Sequence, residues 1–298
     1  MALQPSFSHL AVFASVARHT SFQRAAHETG MSTSAVSHAI RGLEERLGVS
    51  LFNRTTRSVA LTEAGQRLLE RLHPALREVG DALEEMNNFR GTPAGTLRLN
   101  ASHPAACLLL APLIPQFLAT YPEIRLEIVS EDVLIDIVDG GFDAGVRFEE
   151  QVPEDMVALR IGGDLRMVVV GTPGYFARHP LPQHPQDLLA HDCICYRFPS
   201  GRSYRWEFEK ADAKIEIDVK GRLTLGDQGM MMRAALGGQC LAFVFEEFAA
   251  EAIAAGRLVR VLEDWCPRFP AFLYYPRQRR VSSALRAFID LAKAARRD

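Results

Sequence analysis

A group of short polar side chains lies opposite an apolar stripe within one helical pattern, Ser32 to Leu47, which Ser32 can cap and Gly48 can end. Val36, Ile40, Leu43 and Leu47 recur at i, i+4, i+7 and i+11, the spacing of a buried helix face. Thr33, Ser34, Ser37, His38 and Arg41 fall on the other side. A solvated helix usually carries Glu and Lys there. Small hydroxyls and one long cation instead permit close approach to a phosphate backbone and to base edges.

Other chemistry is weakly supported. Serines and histidines are plentiful, but no G-x-S-x-G elbow, phosphate-binding loop, H-E-x-x-H or G-x-G-x-x-G is present, so the chain is not read as an enzyme. Five scattered cysteines make neither a secreted disulfide framework nor a zinc spacing, and no metal or cofactor is expected. Cys193 and Cys195 leave a redox-responsive reading open as an alternative. Residues i and i+2 on a strand rarely close an unstrained disulfide, which favours buried apolar thiols.

The surrounding elements must hold that helix. Ser8–His19 and Phe22–Thr29 read as two further helices, Ala25 and Ala26 allowing close approach and Gly30 ending the second. Leu51-Phe52 and Val59-Ala60-Leu61 read as two strands around the loop Asn53–Arg57, a hairpin wing with Arg54 and Arg57 at its tip. Thr62 caps a long helix to about Phe89, in which Leu69, Leu72, Leu76, Val79 and Leu83 form an apolar seam and Pro74 should cause a kink or break. Such a seam beside an already closed three-helix core is expected to find a second chain. Residues 91–95 break the pattern. Beyond them strand-like runs alternate with helical ones, the texture of an α/β domain.

The stretch SFQRAAHETGMSTSAVSHAIRGLEERLGVSLFNRTTRSVALTEAG resembles, almost without gaps, the winged helix-turn-helix of LysR-type transcriptional regulators. The remainder is similar to that family's effector domain, through GTLRLNAS, LLAPLIPQFLATYPEIRLEIV, DVLIDIVDGGFDAGVRF, VVVGTPGYFARHP and ALGGQCLAFV. The resemblance implies an α/β protein overall: a winged helix-turn-helix over 1–61, a dimerisation helix over 62–90, a hinge over 91–95 and a two-lobed, periplasmic-binding-protein-like effector domain over 96–298. Lobe 1 would comprise about 96–163 and 268–298, and lobe 2 about 164–267. It further implies a cytoplasmic homodimer or homotetramer that binds operator DNA, responds to a small molecule between its lobes and contacts RNA polymerase. DNA contacts would come from Ser32, Thr33, Ser34, Ser37, His38 and Arg41, and from Arg54, Thr55, Thr56 and Arg57 in the wing. Thr33 and His38 depart from the residues common at those places, which bears on the operator sequence and not on binding as such.

Ligands of open α/β sheets sit at strand ends. Ser102 and His103 after the strand 96–101, Arg147 ending 142–147, Ser200 and Arg202 in a glycine-containing loop, and Asp227-Gln228 opening a helix are the candidate effector residues. Their donors and cations favour an anionic or strongly polar molecule, an apolar pocket for an aromatic being the alternative. A net charge of −2 and 48% apolar residues are compatible with this, as is a basic set of 34 in which Lys is rare. A small-molecule binding protein without DNA function is disfavoured by residues 1–61. No run of about 18 apolar residues suggests a membrane span.

Overall fold

The structure is a computed structural model describing residues 6–54, 59–87, 92–133, 136–138, 140–148, 156–277 and 281–296. The chain forms two compact units, Met1–Met86 and Asn87–Asp298.

In the first unit, α1 (Phe7–His19), α2 (Phe22–Thr29) and α3 (Thr33–Leu47) surround a core of Phe13, Val16, Ala25, Val36, Ile40 and Leu43. The caps are local chemistry. Ser21 accepts the Arg24 N–H and Ser32 the Ala35 N–H, while Gly30 ends α2 at φ +66°, a left-handed turn a side chain would strain. Glu28 ties α2 to α1 through Ser15, Arg18 and His19. Burial alone would raise its carboxyl, but those three partners outweigh it and hold the group below the ordinary carboxylate range. The wing is an antiparallel pair, β1 (Phe52–Arg54) with β2 (Val59–Leu61). Glu44 fixes it to α3 by accepting the N–H groups of Leu51 and Phe52 at 2.8 and 3.3 Å.

Helix α4 (Glu63–Asn87) begins where the Thr62 hydroxyl accepts the Gly65 N–H, and it runs unbroken through Pro74, so the expected break is absent. The apolar seam also divides. Leu72 is buried in the core of this unit, and Leu69 and Leu76 pack against that core, whereas Val79 is 41% exposed. The first part of the seam therefore contributes to the core of its own unit. Leu83 lies outside the residues whose side chains are described.

In the second unit one sheet carries the strand order β11-β6-β13-β5-β3-β4, with β12 also on β6. β3 (Gly95–Ala101) lies parallel to β4 (Ile124–Ser130) and β5 (Ala144–Phe148). α5 (His103–Thr120) returns between β3 and β4 with a π-type turn at Ala106–Leu110, and α8 (Ser283–Ala295) packs Phe288 edge-on to its Phe117. β6 (Met156–Gly171) and β13 (Arg268–Pro276) then run antiparallel from Met156↔Pro276 to Arg166↔Arg268. Their register shifts between Phe269 and Ala271, opposite Gly162, which holds φ +62° with Leu109 where its Cβ would stand. This strand carries the chain across Gly162 and Gly163 without a loop.

Beyond that point stand β11 (Ala242–Phe245) and β12 (Val259–Val261) on either side of β6. With them are the hairpin β8 (Trp206–Lys210) and β9 (Ala213–Ile217), and the short parallel pair β7 (Cys195–Tyr196) and β10 (Thr224–Leu225). α6 (Gln228–Leu236), capped by Asp227, and α7 (Glu246–Ala254) flank β11. The sheet is mixed, as the alternating pattern implied.

α5 is long and apolar enough to cross a membrane by length and composition, unlike what the sequence suggested. It instead puts Ala105, Leu110 and Phe117 into the core of this unit. Cys193 is buried and Cys195 half-buried, and burial pushes both thiols up, furthest at Cys193. That is the environment of an inert structural cysteine.

Leu72→Ala should destabilise the N-terminal unit by about 2–5 kcal/mol, because it empties a core position. Chemical denaturation of wild type and variant measures this, and a change below about 0.5 kcal/mol would place Leu72 outside the core. Brief alkylation of the native protein with iodoacetamide should modify exposed Cys107 and leave Cys193 unmodified until denaturant is added. Peptide mass mapping reads the order, and early Cys193 labelling would revive the redox alternative.

Candidate functional site: a polar recognition face and an interlobe cavity

On α3 the buried stripe is Val36, Ala39, Ile40 and Leu43. Leu47, expected to continue it, is exposed at the helix end, where Leu51 and Phe52 cover the core instead. Thr33, Ser34, His38 and Arg41 are exposed, and Ser37 is half-buried. Ser32 is occupied in capping, with its hydroxyl also 2.9 Å from Ser34, so its first duty is the helix start. Arg41 donates Nε to the Ser37 carbonyl at 3.4 Å, which folds it along its own helix while the residue stays exposed. In the wing, the Arg54 side chain and Thr55, Thr56 and Arg57 lie outside the described residues.

The second site is a cavity of about 360 Å³ between the two halves of the C-terminal unit. Ser102, Pro104, Asp132 and Phe148 come from the β3–β5 half; Tyr196, Phe198, Arg202, Tyr204, Glu207, Gln228, Phe243 and Phe245 come from the other. Met167 and Phe269 line it from β6 and β13. Aromatic rings dominate the wall. Tyr196 meets Phe198 edge-on at 5.1 Å, and Phe148 lies 4.7 Å from Phe245 across the halves. Arg202 holds its guanidinium 5.2 Å above the Phe198 ring.

Of the candidate effector residues, Ser102, Arg202 and Gln228 line this cavity. The Ser102 hydroxyl is buried without a hydrogen-bond partner among the described residues, at the start of α5. Gln228 accepts the Phe245 N–H at 2.9 Å, so what it can offer a ligand is its amide N–H2. Ser200 is exposed and outside the lining. His103 and Asp227 stand beside the cavity facing each other, Nε2 to Oδ2 at 3.2 Å.

Arg147 is a correction. It is 3% exposed and does not reach the cavity. Its guanidinium donates to Asn100 Oδ1 and to the carbonyls of Val146, Glu131 and Val133. The strand runs one residue past it to Phe148, and the Arg147 side chain turns into the protein and braces the segment 131–133.

Asp132 and most of the aromatic wall were not anticipated from sequence. A usable signal existed in the alternation of Tyr196 with Phe198 and of Phe243 with Phe245, which places both rings of each pair on one face. The Tyr196 hydroxyl donates to Asp132 Oδ2 at 3.0 Å. Burial first, and then the Asp132 carboxylate, push that phenol up, so it stays a donor.

Comparison with known proteins agrees across the length of the chain. The family described as "Bacterial regulatory helix-turn-helix protein, lysR family" matches residues 7–66, and "LysR substrate binding domain" matches residues 90–297. The HTH-type transcriptional regulator YcaN of Escherichia coli K12 is 46% identical over 292 residues, 98% of this chain and 96% of that protein. PgrR, another HTH-type transcriptional regulator of E. coli K12, is 38% identical over 95% of this chain and 96% of its own. Among solved structures, CrgA of Neisseria meningitidis, a LysR-type transcriptional regulator, is 31% identical, with TM-score 0.60 over 97% of this chain and 99% of that one. The full-length Vibrio cholerae virulence activator AphB shares the fold at TM-score 0.67 and 23% identity, covering 98% and 99%. A helix-turn-helix with an outward polar face, joined in one chain to a two-lobed domain with a cavity between its halves, is thus accounted for: the chain belongs to the LysR-type family of transcription regulators.

Proposed function

We propose that α3 reads operator DNA through Thr33, Ser34, Ser37, His38 and Arg41, with Ser32 setting the helix start and the wing residues Arg54, Thr55, Thr56 and Arg57 on the backbone. The supporting observation is the split face of α3. Its hydrophobic stripe is fully engaged in the core, and its outer face carries no carboxylate before Glu44. Regulators of this family bind DNA and small-molecule effectors and form oligomers. A dimer would match two such helices to half-sites about 34–36 Å apart. Because Leu69, Leu72 and Leu76 serve their own domain, we place the dimer contact of α4 from Val79 onward. Pairing of dimers into tetramers, contact with RNA polymerase and a cytoplasmic location follow the family pattern.

The effector proposed for the cavity is an aromatic or conjugated body carrying one acceptor group, a carboxylate being the simplest. The orphan Ser102 hydroxyl carries this reading. A buried polar atom without a partner costs about 1–3 kcal/mol unless a ligand or water answers it. Arg202 and the Gln228 amide supply further donors, and the rings supply a flat apolar wall. With Arg147 withdrawn and Glu207 on the same wall, several negative charges on one ligand are disfavoured. Binding between the lobes would reach the DNA through residues 91–95.

Arg41→Ala should weaken binding to operator DNA by about 1–3 kcal/mol if it reads a base. A gel-shift titration at fixed salt giving wild-type affinity would remove it from the interface. For the cavity, calorimetry against a panel of aromatic carboxylates should find a binder whose affinity falls about tenfold in Ser102→Ala and in Arg202→Ala. A binder unaffected by either change would move the effector site elsewhere and leave the DNA assignment untouched.

A further inference from the structure

Besides the Phe148–Phe245 ring contact, two polar side-chain contacts among the described residues cross between the halves of the effector domain, and they share a common support. Asp132 stands on the β3–β5 half and Tyr196 on the other, with the phenol donating to Oδ2 at 3.0 Å. The other carboxylate oxygen, Oδ1, accepts the backbone N–H of His103 at 2.7 Å. The His103 ring then crosses in the opposite sense, with Nε2 3.2 Å from Asp227 Oδ2 and Nδ1 3.2 Å from the Ser130 hydroxyl. Cys107 Sγ approaches the same Nε2 at 3.6 Å. Asp227 is anchored in turn, because its Oδ1 caps α6 by accepting the Met230 N–H at 2.6 Å.

We infer that Asp132, Tyr196, His103 and Asp227 form a two-point clasp that holds the lobes together at the cavity mouth, with Arg147 as the residue that positions it. Arg147 is what keeps Asp132 in place: its guanidinium grips the carbonyls on both sides, Glu131 and Val133, at 3.3 Å each, and is itself tied to Asn100. Asn100 lies two residues before Ser102, so one buried cation sets both the lip that carries Asp132 and the strand end that carries Ser102 and His103. This explains why a charged guanidinium is buried away from the cavity lining. A buried guanidinium is tolerated when its donors are met, and here they are met by the segment whose position matters.

The two points act in parallel. Either contact alone keeps the halves in register, so removing one should loosen the mouth modestly and removing both should release it. Tyr196→Phe deletes one hydroxyl and leaves the ring in the wall. His103→Ala deletes the second contact while keeping the backbone N–H on which Asp132 rests. The test uses the full-length protein without effector, and so fails or succeeds independently of the ligand class proposed above.

Amide hydrogen exchange followed by mass spectrometry is measured on wild type, the two single variants and the double variant, with circular dichroism confirming the fold. Exchange in the segment 198–204 on one lobe and 131–133 on the other should rise about tenfold in the double variant and by less than the square root of that in each single one. Amides of β3 and β4 should stay as in wild type. The decisive element is cross-lobe: Tyr196→Phe must already raise exchange at 131–133, which a local role for its hydroxyl would not do. Unchanged exchange in both segments of the double variant overturns the clasp. A rise shared equally by β3 and β4 overturns it as well, because it reports global loosening.

Discussion

The antiparallel ladder of β6 and β13 is the constraint on which the effector domain depends. Both lobes hang on these two strands, so the space between the lobes is set by how the ladder bends and not by a pair of loops. It yields at one place, where the register shifts opposite Gly162. A side chain there would require a left-handed backbone and would drive into Leu109. Away from that point the ladder is continuous. Met167 and Phe269 sit next to the shift and line the cavity, so the irregularity in the ladder adjoins the site.

That geometry explains the distribution of polar groups. A cleft that closes on aromatic walls excludes water, and each polar atom left inside must be answered by protein or ligand. Asp132 is answered twice, by His103 and Tyr196, and Gln228 by Phe245. The Ser102 hydroxyl is not answered among the described residues. The contrast separates groups that hold the site from groups that can receive a molecule. Arg147 belongs with the first kind, although by residue type it looked like the second.

The N-terminal unit solves a different problem. α3 must present small side chains outward while its position is fixed from within. Its caps, its buried stripe and the grip of Glu44 on Leu51 and Phe52 do this without using the outer face. The cost falls on α4, whose Leu72 is drawn into the same core. The first turns of α4 are thus part of the same core as α3.

By itself the sequence determined the helices of the first unit, their caps, the polar face of α3, the wing and the alternation of strands and helices in the second unit. These follow from periodicity and from Ser, Thr, Asp and Gly at helix ends, all of which act within a few residues. It also placed Ser102, Arg202 and Gln228 at strand and loop ends, where an open sheet gathers ligand contacts. Only tertiary structure decided that Arg147 turns inward to Asn100, that Leu47 is exposed while Leu72 is buried, and that Pro74 interrupts nothing. The pairing of Asp132 with Tyr196, sixty-four residues apart, likewise exists only once β6 and β13 bring the two halves together. A side chain's direction at a strand end depends on which partner groups are unsatisfied nearby in space. Spacing along the chain carries no record of that.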